Sequence, residues 1–145
     1  MPPEGSSTTL HTVLFVCVGN CVRSQMAEGL ARRHAADVIH AESAGLHPLG
    51  FIDKTAIAVL AERGVSVEGQ RSKGLRDHEL SKPHLIINMS GTPGSSLFHG
   101  RKFEDWPIED PFGESMELHR RICDDIETRV KDLAARLRLQ VDAGS

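Results

Sequence analysis

"VLFVCVGNCVRSQMAEG", residues 13–29, is the stretch from which the fold can be read. It begins inside Thr12–Cys17, a β-branched and aromatic run that reads as a short buried strand. It ends inside Ser24–Ala36, where Met26, Ala27, Leu30 and Ala31 recur at helical spacing. A cysteine, a Gly-Asn pair, an arginine and a serine fill the turn between them. A strand that passes so quickly into a helix is the first half of a β-α-β unit.

The rest of the chain repeats this alternation. Val38–Ser43 reads as a second strand. Asp53–Arg63 carries Ala56, Val59 and Leu60 on one helical face and is stopped by Gly64. His84–Met89 is an apolar run predicted to be a buried strand, and Lys102–Trp106 a short edge strand. Leu118, Ile122, Ile126, Val130, Leu133 and Leu137 then follow helical spacing with charges opposite. Strands and helices in this order predict an α/β fold with a parallel sheet, which binds ligands beyond the C-terminal ends of its strands. The first strand ends at Cys17, where such a site is expected. Residues 1–11 are expected to be a loose tail, 12–139 a single domain, and 140–145 a frayed end.

Composition narrows the function classes. At 145 residues the chain fits one domain with a substantial core. The formal charge of −3, without a long basic run, disfavours nucleic acid. No apolar run reaches the roughly 18 residues needed to span a bilayer. Met1 to His11 lacks the apolar segment of a signal peptide, so the chain is read as cytoplasmic. Three cysteines, Cys17, Cys21 and Cys123, do not make a disulfide framework. No Cys/His grouping has zinc spacing, and neither metal nor cofactor is expected.

The turn itself suggests the chemistry. Between a strand and a helix N-terminus, unpaired backbone amides and the helix dipole form a nest for an anion. Val18, Gly19, Asn20, Cys21, Val22, Arg23 and Ser24 would make that nest. Gly19 allows the tight turn, and Asn20 tolerates a left-handed conformation. Arg23 offers a planar fork matching two oxygens of a phosphate-like ligand. The same positive field favours a reactive sulfur at Cys17, and Ser24 is placed to donate its hydroxyl to it. The stretch is neither a Walker A loop nor Gly-x-Gly-x-x-Gly, and it lacks Cys-x-x-Cys. A lone cysteine here would be read as buried and structural. With Gly, Asn, Arg and Ser at these offsets, the catalytic reading is preferred.

Cys17, Arg23 and Ser24 meet the signature Cys, five residues, Arg, Ser of the low-molecular-weight protein tyrosine phosphatase superfamily, which the chain resembles from Thr12 to about Leu137. "RSQMAEG" at 23–29 resembles the superfamily's arsenate reductase branch. "ESAG" at 42–45 resembles the segment after its second strand, and "IEDPF" at 108–112 its general-acid loop. The resemblance implies a flavodoxin-like three-layer sandwich around a four-stranded parallel sheet. It also implies a phosphocysteine on Cys17, oxygens held by Arg23 and the loop amides, and Asp110 as general acid and base. It further implies a bond from Asn20 to Ser43. Taken alone, Asp110 before Pro111 would be read as a helix cap. Asp105 and Glu109 are nearby reserves.

The chain also departs from the family pattern. A second loop cysteine commonly precedes the arginine; here Val22 stands there and Cys21 lies one residue earlier, read as packing under the loop. Cys123 is read as structural. No tyrosine is present, and Leu46, Leu49 and Phe112 are the candidate pocket wall, with Trp106 approaching it. The two further cysteines of the thioredoxin-coupled reductases have no counterpart in "INMSGTPGSSLFHG", residues 87–100. Phosphomonoester hydrolysis on a phosphorylated protein or small ester is therefore placed first. Arsenate reduction by Cys17 with an external small thiol is second, and a non-catalytic oxyanion-binding module third. The expected assembly is a monomer or weak dimer.

Overall fold

Strand β1, His11–Cys17, occupies an inner position of a four-stranded parallel sheet with β2, Ile39–Gly45, β3, Leu85–Asn88, and β4, Phe103–Asp105. The computed structural model describes residues 10–144. The predicted tail thus lies largely outside the described residues, although His11 already belongs to β1. Strand order is β2-β1-β3-β4. All four predicted strands are present, with β2 running on to Gly45.

Successive side chains of β1 point to opposite faces, and from Val13 to Cys17 both faces are buried, so that stretch is apolar throughout rather than alternating. Val13 and Phe15 join one core with Met26, Leu30, Val59, Leu60, Ile126, Val130 and Leu133. Those residues come from helices α1, Arg23–His34, α2, Lys54–Glu62, and the long final helix, Met116–Gly144. Leu14 and Val16 join a second cluster with Ala44, Ile86 and Phe98 on the other face. There the cover is thinner: the short α3, Gly94–Leu97, and a 3-10 turn, Leu75–Asp77. The three-layer α/β arrangement is thus the predicted one. Each fully buried Leu or Ile of these layers stabilises the fold by about 1.5–3 kcal/mol.

The final helix is α4 in chain order. It continues through Gly144, so most of the segment expected to fray is helical. It is braced by Arg63, which bonds Asp124 and Glu127, and by Arg120, which pairs with Glu62 through two nitrogens. Helix α2 is capped by Asp53, whose carboxylate accepts from Thr55 N and Ala56 N. The chain moves from β1 outward to β2, then crosses to β3 on the other side. The sheet's switch point therefore lies between the ends of β1 and β3, beside Cys17 and Met89.

Candidate active site

The residues after β1 turn their carbonyls away from the site, and a second segment takes them up. Leu46 N donates to Cys17 O, His47 N to Val18 O, Leu49 N to Gly19 O and Asp53 N to Cys21 O, at 2.8–3.0 Å. This 46–53 strap follows β2 and runs into α2. With its carbonyls occupied, the loop leaves the amides of Val18 to Val22 without a partner among the described residues. Helix α1 adds its own first-turn amides: no side chain caps it, and no acidic residue stands in its first turn. Its last turn carries Arg32, Arg33 and His34, which complement the opposite end of the dipole. The N-terminal end is left free for an outside anion.

Asn20 is the keystone of the loop. It is fully buried and has φ 50°, the left-handed conformation expected of it. Its Oδ1 accepts from Gln25 Nε2 at 3.0 Å and from Lys73 N at 2.7 Å. Its Nδ2 donates to Ser24 Oγ at 2.7 Å. Ser24 Oγ lies 2.9 Å from Cys17 Sγ. Since Ser24 already accepts from Asn20, its own proton is free to point at the sulfur. The predicted Cys17–Ser24 pair is therefore present, with Asn20 orienting it.

Arg23 is buried, at 4% exposure, yet it carries a charge. One terminal nitrogen donates to Met89 O at 2.5 Å and Ile108 O at 3.0 Å. The other lies 3.4 Å from Asp110 Oδ2, and Nε has no partner. One side of the guanidinium is thus anchored to two backbone carbonyls, and the remaining donors can take a tetrahedral anion. Asp110 stands at the rim with its side chain 49% exposed. Its Oδ1 accepts from Phe112 N at 3.1 Å. The residues after it form a turn, and it is Ser115, accepting from Leu118 N, that caps α4. Asp105 is committed elsewhere, accepting from Asn88 Nδ2 and Gly94 N; Glu109 is exposed.

Three expectations are corrected. Asn20 does not bond Ser43; Ser43 Oγ donates to Glu28 Oε1 and accepts from Lys73 Nζ at 3.2 Å. Lys73 supplies both the amide that holds Asn20 and the ammonium that holds Ser43, so it stands between the two residues expected to meet. Leu46, expected at the pocket wall, is half-buried and packs against the cluster of Leu14, Val16 and Phe98. Trp106 is buried against Phe15, with ring centroids 6.1 Å apart. Leu49 and Phe112 do stand at the mouth. The Leu49 side chain lies over Gly19, 3.2 Å from where a Cβ would be. Phe112 faces Phe51 at 6.4 Å.

Sequence reasoning missed Gln25, Glu28, Phe51, Gln70 and Lys73. Gln25 and Glu28 are buried polar residues in the first turns of α1. Gln25 also donates to Arg71 O and receives Gln70 Nε2. Glu28 meets Arg32 at 2.6 Å and Lys73 at 3.6 Å. Burial pulls the Lys73 ammonium below its usual range, and the Glu28 carboxylate opposes that. A glutamine and a glutamate one turn apart among the apolar Met26, Ala27 and Leu30 of α1 were the available signal.

Cys21 and Cys123 are both free and buried. Burial pushes the Cys21 thiol up to about 12, with Cys17, Asp110 and Asp53 adding to it and Arg23 opposing. Burial likewise pushes Cys123 up to about 12. A raised pKa keeps a thiol protonated until pH approaches that value, so near pH 8 the thiolate fraction is on the order of 10⁻⁴. Native protein treated with iodoacetamide at pH 8 is expected to be alkylated at Cys17, with Cys21 and Cys123 modified only after unfolding. Peptide mass spectrometry reads the result; rapid labelling of Cys21 in the folded protein would contradict it.

Residues 12–143 match the family described as low molecular weight phosphotyrosine protein phosphatase. The chain is 36% identical over 132 residues to a glutaredoxin arsenate reductase of Synechocystis, covering 88% of this chain and 99% of that protein. It is 32% identical over 124 residues to a putative arsenate reductase of Halobacterium salinarum, covering 82% and 87%. Among solved structures, an arsenate reductase in the phosphate binding state superposes with TM-score 0.81 at 34% identity, covering 88% and 99%. The YwlE arginine phosphatase from Geobacillus stearothermophilus does so with TM-score 0.80 at 27% identity, covering 90% and 94%. With the loop after β1, its arginine and the family match spanning the sheet and α4, this chain belongs to the low molecular weight phosphotyrosine protein phosphatase family.

Proposed function

We propose that the protein is an arsenate reductase that takes its second thiol from outside the chain. This is ahead of phosphomonoester hydrolysis, which the sequence alone places first. The likeness to named arsenate reductases over nearly their whole length supports reduction. The observation that carries the external thiol is the state of the cysteines. All three cysteines are free and buried, but Cys17 alone has its sulfur beside the Ser24 hydroxyl, at 2.9 Å, whereas burial pushes the Cys21 and Cys123 thiols up to about 12.

Arsenate has the shape and charge of phosphate, so the loop amides and Arg23 would hold its oxygens. Cys17 sulfur attacks As(V), forming an S–As bond, and a hydroxyl leaves as water with a proton from Asp110. Ser24 stabilises the sulfur whenever it carries negative charge. An external thiolate then attacks Cys17 Sγ. An S–S bond forms, the S–As electron pair stays with arsenic, and arsenite leaves as As(III). A further thiol reduces the mixed disulfide, returning Cys17 and yielding an oxidised thiol pair. A reducing compartment, the cytoplasm, would supply these thiols.

Purified protein is expected to form arsenite from arsenate only with added thiol, with or without a glutaredoxin-type partner. Arsenite is measured directly by speciation chromatography. Phosphomonoester hydrolysis is the second reading, favoured by Asp110 at the rim 3.4 Å from Arg23, where it could protonate a leaving oxygen. Vanadate-sensitive release of para-nitrophenol without any arsenite would move that reading to the front. Tight phosphate binding with neither turnover would leave an oxyanion-binding module.

A further inference from the structure

We infer that His119 is a positioning residue that fastens the Asp110 loop to the thiol loop. His119 is a buried titratable side chain, 1% exposed, that no step above uses. Its Nδ1 lies 2.8 Å from Ser115 O, and a carbonyl only accepts, so Nδ1 carries a proton and donates it. Its Nε2 is buried without a hydrogen-bond partner, 3.6 Å from Asp53 Oδ2. The ring edge thus sits against the carboxylate that caps α2.

The two ends of this contact are informative. Ser115 closes the 106–115 segment that carries Asp110, and His119 follows it one turn into α4. Asp53 is the last residue of the strap, and its amide donates to Cys21 O within the anion loop. The path Ser115–His119–Asp53–Cys21 therefore joins the segment bearing the acid to the loop bearing the nucleophile. Other contacts hold the same segment: Trp106 N on Asn88 O and the buried Trp106 and Ile108 side chains at its start, Ile108 O on Arg23, and the Phe112 ring against Phe51 of the strap. Asp110 itself is tethered by Phe112 N and by Arg23, and is otherwise open to solvent. Its placement beside Arg23 thus depends on how its segment is pinned. A histidine that only filled space could be replaced by leucine at no cost specific to proton transfer.

The inference rests on the reading that Asp110 supplies the proton. His119→Leu and Asp53→Asn are the variants, since asparagine caps a helix about as well as aspartate and so removes the charge while keeping α2 capped. Each is expected to lower kcat/KM for arsenate about tenfold, with the Kd for inorganic phosphate within about twofold of wild type. In an Asp110→Asn background neither should cost more, because the group being positioned is gone. Equal losses in both backgrounds, or full activity of both variants, would overturn the inference. Hydrogen exchange of amides 107–115 is read in parallel and needs no turnover: faster exchange in both variants is expected, and unchanged exchange overturns the inference. If the wild type reduces no arsenate, it is the functional reading that fails, and the exchange result still decides the role of His119. If His119→Leu does not fold, Asp53→Asn decides alone.

Discussion

Cys17→Ser is expected to lower turnover by on the order of 10⁴-fold or more while the protein keeps its fold and its grip on phosphate. The substitution changes one atom. Cys17 is 2% exposed and lies at the end of β1, so serine occupies the same place without a new cavity. The Ser24 hydroxyl at 2.9 Å can bond oxygen as well as sulfur. The amides of Val18 to Val22 and the Arg23 fork are untouched, and in the proposed mechanism these hold the anion. What is lost is the sulfur nucleophile: a serine hydroxyl has no positioned base here and cannot enter a disulfide. On the proposed mechanism reduction stops altogether, because its second step breaks an S–As bond by attack on Cys17 sulfur. Isothermal titration with phosphate is expected to give a Kd within about threefold of wild type. Turnover surviving at a tenth of wild type would mean that another group is the nucleophile.

The sequence made the nucleophile loop legible because its function depends on residue types at fixed offsets: Cys17, Gly19, Asn20, Arg23 and Ser24 lie within eight consecutive positions. The sheet was legible because residues 13–17 of β1 and 85–87 of β3 are continuous apolar runs and α4 keeps its helical spacing through Leu137. The strap was not legible, because it acts through backbone amides, which any residue supplies; Leu46, His47 and Leu49 read as a pocket wall or a plain loop. Lys73 was not legible because it meets Asn20 across 53 residues of chain, and a lone lysine usually signals solvent. His119 lies on the buried face of α4, in helical register with Ile122, Cys123 and Ile126, but a polar residue is passed over when only apolar positions are counted. The Asn20–Ser43 expectation failed for a related reason. Both residues are buried beside the loop, but Lys73 and Glu28 come between them, and each polar atom pairs with the nearer partner.

Gly45→Ala should cripple the site from behind, lowering kcat/KM by about 10²-fold or more and weakening phosphate binding with it. Gly45 ends β2 beside Cys17 in the sheet register. A Cβ built there would sit 2.7 Å from Val18 O, 2.8 Å from Asn20 N and 2.9 Å from Asn20 Cβ. These distances are shorter than carbon, nitrogen and oxygen tolerate, and two of the three atoms belong to the anion-loop backbone. The loop has little room to yield. His47 N holds Val18 O, while Gln25 and Lys73 hold the Asn20 side chain. Nor can Gly45 retreat easily, since its own amide is bonded to Lys73 O at 2.9 Å. The methyl group must therefore push the loop amides out of the arc that faces the anion. Stability should fall by about 1–3 kcal/mol, as in other overpacked interiors. Gly64→Ala separates the two effects. Gly64 follows α2 at φ 73°, and a Cβ there would meet only the Arg33 guanidinium, at 4.0 Å, so alanine strains the backbone there without touching the loop. That variant should lose Tm but keep its phosphate Kd, whereas Gly45→Ala should lose both. A Gly45→Ala protein with wild-type phosphate affinity and turnover would mean that the loop's shape does not depend on the β2 end packed behind it.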